Sequence, residues 1–292
     1  MLEPVEVARR EEHRQAVSVS EIAGDWEPFA GGRMSFGGVD SWANQASGCG
    51  LDGPVSEAEL DRLVAFYDER GVGGEVEVAP YAHESLVQGL NARGFAIKHF
   101  ETVLAAVGGS LARGVEGERG RSAMERQTHG MPEGVEIRRV EPGDEEFDRA
   151  FARFGMGQFV PGGVEAVSEG QVEVSMRAHR HPRNVSFVAL DAASGRSDAE
   201  RIVGVAGVEV AMGAVAPHGP VACLYGTGVA EGFRRRGIQQ ALIAARLDVC
   251  AAMGCPVVCI HTKPGIPTER NAMRLGFSVM YTKVVVGRGE QG

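Results

Sequence analysis

The segment LYGTGVAEGFRRRGIQQALI (224–243) sets three consecutive arginines, Arg234, Arg235 and Arg236, between an apolar run and a run with helical spacing. Gly237 follows at once. This is the order of a strand, a short loop and a helix start. The first turn of a helix leaves backbone N–H groups unpaired and carries the positive end of the dipole, so it is a ready site for phosphate. Here that turn falls on Ile238, Gln239 and Gln240. A glycine lets a bulky anion approach the backbone without a Cβ in the way. Guanidinium groups add forked donors for phosphate oxygens. A diphosphate ligand suits this spacing.

Two other phosphate loops fit poorly. No GxxxxGK[ST] segment is present. Gly226 and Gly228 supply only half of a GxGxxG fingerprint, and the next strand ends in His261, Thr262 and Lys263, with no acid to hold a ribose. That argues against a nicotinamide oxidoreductase. The arginines also have a plain reading as a solvated face, but that reading does not account for Gly237.

RRRGIQ (234–239) resembles the acetyl-coenzyme A pyrophosphate loop of the GCN5-related N-acetyltransferase (GNAT) superfamily, Q/R-x-x-G-x-G/A. Arg234 and Gly237 match, while Gln239 stands where a small residue is expected. ERNAMRLGF (269–277) resembles the family's second signature, an Asn and an Ala in a short helix closed by Leu-Gly-Phe. The resemblance covers roughly residues 135–286. It implies that the pantetheine arm lies beside Thr227, Gly228 and Val229, in a gap before the strand VVCIHT, and that Asn271 contacts the coenzyme. It further implies direct transfer of acetyl to a primary amine of a small molecule or peptide, with a backbone N–H near Val229 polarising the thioester carbonyl and no metal. The family's usual helix tyrosine is replaced by Ala272, which leaves Tyr281 as the nearest acid. The usual place of the base holds Cys223, which leaves Glu209. Those two departures equally suit a coenzyme-binding sensor or scaffold without turnover.

The elements that must position these residues follow from periodicity. In the second half, VEIRRV, NVSFVALD, RIVGVAGVEVAM, VACLYGTGV, PVVCIHT and FSVMYTKVVVG read as strands. EEFDRAFARFGMG, RRRGIQQALIAARLDVCAAMG and IPTERNAMRLG read as helices, the last with Thr268 as its cap. The fold class is α/β with a mixed sheet. In the first half, SEAELDRLVAFYDERG is a helix opened by a capping box of Ser56 and Glu59. EVEVAP, HESLVQGLNARG and FAIKHFETVLAAVG follow as strand, helix and strand. LNARGFAIKHFETVLAAV echoes NAMRLGFSVMYTKVVVG, which points to two tandem copies of one fold, the first degenerate and lacking the arginine loop. The expected boundaries are 1–107 and 135–292. Between them lies a Gly- and charge-rich linker, Gly108 to Gly134.

The bulk composition narrows the partners. The chain has 292 residues, 43% apolar and 24% charged, with a formal net charge of −9. An acidic balance argues against a nucleic acid or an anionic membrane as partner, since both require a broad basic face. MLEPVEVARREEHRQ lacks the apolar centre of a signal peptide, and the five cysteines suit free thiols in a reducing compartment. A cytoplasmic location is the expectation. Cys255, Cys259 and His261 are near in sequence, and His179 and His181 stand beside Pro182. The cysteines read as small apolar core positions and the histidine pair as part of a polar loop, neither as a metal site.

Overall fold

The computed structural model describes residues 2–108, 132–193 and 195–288. The expected linker therefore lies almost wholly outside the described residues. The first half contains α1 (Pro4–Ala23), β1 (Asp25–Phe29), β2 (Gly32–Phe36), β3 (Gln45–Ser47), α2 (Glu57–Asp68), β4 (Glu75–Val78), α3 (Glu84–Ala92) and β5 (Phe95–Val107). The second contains β6 (Val135–Val140), α4 (Glu145–Gly157), α5 (Glu169–Arg180), β7 (Asn184–Asp191), β8 (Ile202–Ala211), β9 (Val221–Val229), α6 (Ile238–Ala252), β10 (Val257–Thr262), α7 (Pro267–Arg274) and β11 (Ser278–Arg288). The capping box of α2 forms as its sequence dictates, with Ser56 accepting from the Glu59 N–H and the Glu59 carboxylate accepting from the Ser56 N–H.

The described strands join one mixed sheet in the order β1-β2-β3-β4-β11-β5-β10-β9-β8-β7-β6. The fold is thus mixed α/β, as the element pattern requires. The two halves exchange their last strands. β11 lies between β4 and β5 of the first half, and β5 lies between β11 and β10 of the second. The repeat is visible here: β4–α3–β5 and β10–α7–β11 are counterparts. Each helix gives way to a left-handed glycine, Gly94 (φ 79°) or Gly276 (φ 91°), and then a buried phenylalanine, Phe95 or Phe277. Only glycine adopts that backbone cheaply.

Strand alternation sorts the core into layers. Val188, Leu190 and Val205 face Phe147 and Phe151 of α4. Their neighbours Phe187, Ala189 and Ala206 face Ile238, Leu242 and Ala245 of α6 on the opposite side. In the first half, Val76 and Val78 pack under α2 and α3, while Glu77 turns to the other face and bonds Gln15 of α1. Helix α1 contacts β2, β3, β9 and β11, and so crosses the join between the halves.

Two local expectations differ from what forms. The helix after the arginines begins at Ile238 rather than at Arg234, because Arg235 (φ 63°) and Gly237 (φ 81°) both take left-handed backbone. Thr268 is not a cap: α7 starts from Ile266 with Pro267 in its first turn, and the Thr268 hydroxyl instead accepts from Gln239. Among the described residues no helix is long and apolar enough to cross a membrane.

Candidate functional site

Strands β9 and β10 run parallel and pair only through Val258–Ala222, Cys259–Cys223 and Ile260–Leu224. Beyond Leu224 and Ile260 they part. On the β8 side, Gly226 (φ 61°) and Thr227 together stand opposite Ala206, a bulge that bends β9 away from its parallel neighbour. Tyr225 and His261 are the first residues past the parting. Gly228 is required in the bent segment, since a Cβ there would lie 2.3 Å from Cγ of Gln158.

The arginine loop closes the same end. Arg234 donates through Nε to the carbonyl of Val229 (3.1 Å), which folds the loop back on its strand. Arg236 donates to the carbonyl of Glu133 (2.6 Å) and lies over the Phe233 ring. All three arginines are exposed. Gly237 is the N-cap of α6 and no side chain caps that helix end. The N–H groups of Ile238, Gln239 and Gln240 thus belong to a 15-residue helix whose start is free of side-chain acceptors. The residues present fit a pyrophosphate. Gln239 stands where the resembled motif has a small residue, and its side chain is turned to α7. It donates to Thr268 (3.0 Å) and accepts from the Asn271 amide (2.6 Å). Gln239 is therefore a brace between α6 and α7, off the open side of the loop, and Asn271 is brought beside the loop.

The two expected catalytic groups are placed otherwise. Glu209 is 1% exposed, with its carboxylate shared between Arg14 and Arg183. Two guanidinium groups occupy the oxygens a base would use. The Tyr281 hydroxyl is buried and donates to Glu12 (2.7 Å). Burial first, and then the Glu12 carboxylate, push its ionisation well above the ordinary tyrosine range. Tyr281 lines neither of the two cavities at the parting. Tyr281 is thus set away from both cavities, whereas Glu209 lines the one under α1 with its oxygens bonded to arginine. Ala272, where the family carries its tyrosine, is fully buried.

Those cavities share a wall of Trp42, Phe159, Ala178, Tyr225 and Gly226. One, of about 330 Å³, lies between the sheet and α4 and α5, and is walled mainly by apolar groups. The other, of about 370 Å³, lies under α1 and is the more polar of the two; α1, β3, β4 and β5 of the first half contribute much of its wall. The first half is therefore part of the cleft. The Tyr225 ring lies over Gly207, which has no Cβ to displace it. Burial raises the Tyr225 hydroxyl above its ordinary range, so it is protonated at neutral pH.

A charged network underlies the polar cavity. Lys283 of β11 is fully buried against Gln15 Oε1 (2.6 Å), Glu77, Glu12 and Glu101. His261 bridges Glu11 (2.8 Å) and Glu101 (3.3 Å). Burial and Lys283 oppose its imidazolium, but Glu101 and Glu11 outweigh them and hold its pKa up at about 9. Glu11, Cys223 and His261 come close enough to share a cation, but Arg14 already binds the Glu11 carboxylate through two bonds (2.6 and 2.9 Å). Burial also pushes the Cys223 thiol well up. Cys255 and Cys259 are core residues. His179 is no loop residue: it is buried in α5, where its Nδ1 accepts from Ser186 (2.7 Å) and its Nε2 bonds Asp148 (3.1 Å).

The His261 shift fixes a pH dependence. A group whose folded pKa is raised stabilises fully below its unfolded value of about 6.5 and loses that contribution as pH rises through about 9. The loss is about 3 kcal/mol. Thermal unfolding between pH 7 and 10 should show a falling midpoint, and His261→Gln should flatten it. Equal slopes in the two proteins would contradict the assignment.

A sheet with one parting pair of parallel strands, and an arginine–glycine loop at the helix beside it, defines a GNAT-type acyltransferase fold. Residues 159–277 match the acetyltransferase (GNAT) family. Among curated proteins, none matches the chain. A GCN5-related N-acetyltransferase from Kribbella flavida has a similar fold, with 17% identity, TM-score 0.60 and 95% of each chain covered. A tandem GNAT protein from the clavulanic acid biosynthesis pathway is similar over 81% of this chain and 68% of its own, with 15% identity and TM-score 0.54.

Several residues of the cleft carry no local sequence signal. Glu11, Glu12 and Arg14 sit in a charged helix, and Glu77 and Glu101 sit in alternating strands. Only the exchange of β5 and β11 brings them together. Tyr225 was legible as the last residue before the Gly226–Gly228 bend.

Proposed function

We propose that the chain transfers an acetyl group from acetyl-coenzyme A to a primary amine, in a ternary complex formed in the cleft between the two halves. The observation that carries this reading is the parting of β9 from β10 beside an uncapped helix start with a left-handed Gly237. The loop from Arg234 to Gln240 would hold the pyrophosphate. The β9 backbone at Thr227, Gly228 and Val229, which lies past the last pair with β10, would pair with the pantetheine arm as a strand pairs. Asn271, braced by Gln239, would touch the coenzyme from α7.

The reaction forms an N–C bond as the C–S bond breaks. An acceptor that arrives as its ammonium gives up one proton before it attacks and a second once the N–C bond has formed, and the departing thiolate takes one. Tyr225, protonated and at the junction of both cavities, is better placed than Tyr281 to supply it. With Glu209 held by two arginines, the amine proton would leave through water in the polar cavity. Holding both reactants at the parting accounts for most of the rate, since effective molarity contributes about 7–11 kcal/mol.

A coenzyme-binding sensor is the second reading, favoured by Ala272 and by the engagement of Glu209. Free thiol release from acetyl-coenzyme A over an amine panel separates the two. Release that requires an amine supports transfer; saturable coenzyme binding with no release supports the sensor.

A further inference from the structure

The two cavities differ sharply in chemistry, and that difference describes an acceptor. The inference rests on the transfer reading above. The apolar cavity is formed by Phe151, Met156, Phe159, Trp42 and the Tyr225 ring, among others. Its polar side chains are few. Ser186 and His179 are bonded to each other, with His179 anchored on Asp148, which leaves little to satisfy a guest rich in hydroxyl or amine groups. Each such group entering unpaired would keep a desolvation cost. A cavity of about 150 Å³ holds a benzene ring, so 330 Å³ accommodates a ring with a short chain.

The polar cavity adjoins the apolar one along a common wall of Trp42, Phe159, Ala178, Tyr225 and Gly226, of which Tyr225 and Gly226 lie at the parting of the strands. Three carboxyl groups, Glu77, Glu101 and Glu209, face it with two cations, Arg14 and His261; Lys283 behind the wall is bonded to Glu77 and Arg183 to Glu209, which leaves Glu101 as the carboxylate for a ligand. Glu101 is the carboxylate most open to a ligand, with 24% of its side chain exposed against 2% for Glu209. It is bonded to His261, which stands at the parting of the strands. An arriving ammonium is favoured there, and a carboxylate on the acceptor is not.

We propose that the acceptor is a monoamine carried on an apolar body of phenylalkyl size. The body fills the cavity under α4 and α5, and the nitrogen lies at Tyr225–Gly226 within reach of the Glu101 side. Polyols, polyamines and amino acids are excluded by the same surfaces.

The test uses the full chain with acetyl-coenzyme A and follows thiol release. The amines are 2-phenylethylamine, ethylamine, spermidine, glucosamine and phenylalanine. The expected result is a kcat/KM for 2-phenylethylamine at least about tenfold above each of the others, the scale on which apolar pockets discriminate. Ser175→Phe, which projects a ring into the apolar cavity, should lower the ratio of 2-phenylethylamine to ethylamine by about tenfold or more, with coenzyme titration confirming that the variant is folded. Preference for spermidine, glucosamine or phenylalanine, or an unchanged ratio in Ser175→Phe, would overturn the acceptor assignment while leaving transfer intact. No release with any amine, despite coenzyme binding, would overturn the transfer reading and the acceptor assignment together.

Discussion

Gly237→Glu should weaken coenzyme A binding by at least about 100-fold, or ~2.7 kcal/mol. Two effects combine. Gly237 has φ 81°, and a residue with a Cβ pays about 1–2 kcal/mol in left-handed backbone. The added carboxylate also places negative charge at the uncapped start of α6, where the pyrophosphate would sit. Gly237→Ala separates the two, since it brings the Cβ without the charge. It should weaken binding only about tenfold. Calorimetric titration of the two variants checks the pair. Binding by Gly237→Glu within threefold of the parent would place the coenzyme elsewhere.

The second large effect is on stability. Lys283→Met should cost about 3–5 kcal/mol, because it leaves Glu12, Glu77 and Glu101 with a buried cation removed. The partners come from α1, β4 and β5 of the first half, whereas Lys283 is on β11 of the second. The loss therefore falls on the join between the halves. Adding Glu77→Gln to Lys283→Met should restore at least about half of it, since the double variant removes both a cation and a carboxylate. Denaturant unfolding of the parent, both single variants and the double variant gives the coupling. Strict additivity would show that Lys283 and Glu77 do not depend on each other.

These effects also mark what the sequence could and could not convey. The second half was legible almost element by element because its strands and helices have clean apolar periods, as in NVSFVALD and EEFDRAFARFGMG. The coenzyme loop was legible because its chemistry is local: a strand, three arginines, a glycine and a helix lie within one short stretch. Helix α1 was not anticipated. Its inner face buries Glu11, Glu12, Arg14 and Gln15, so the apolar stripe that announces a helix is broken by charges whose partners lie on four other elements. β1 carries Pro28 at the sheet edge and is short, so it leaves little signal. Glu209 reads as a strand-end carboxylate from its neighbours alone. Only the packing of α1 and the pairing of β7 with β8 reveal that Arg14 and Arg183 hold it. The exchange of β5 and β11 has no local signature, because strand pairing across nearly two hundred residues is not written in the period of either strand. The tandem echo of LNARGF in MRLGF hinted at a pair of related units, and the shared left-handed glycines give that echo its structural meaning.

The most direct measurement is calorimetric titration of coenzyme A into the full chain. Saturable binding of one coenzyme per chain, reduced at least about 100-fold by Gly237→Glu, is the predicted result. Absence of binding at millimolar coenzyme, or binding indifferent to Gly237, would contradict the account.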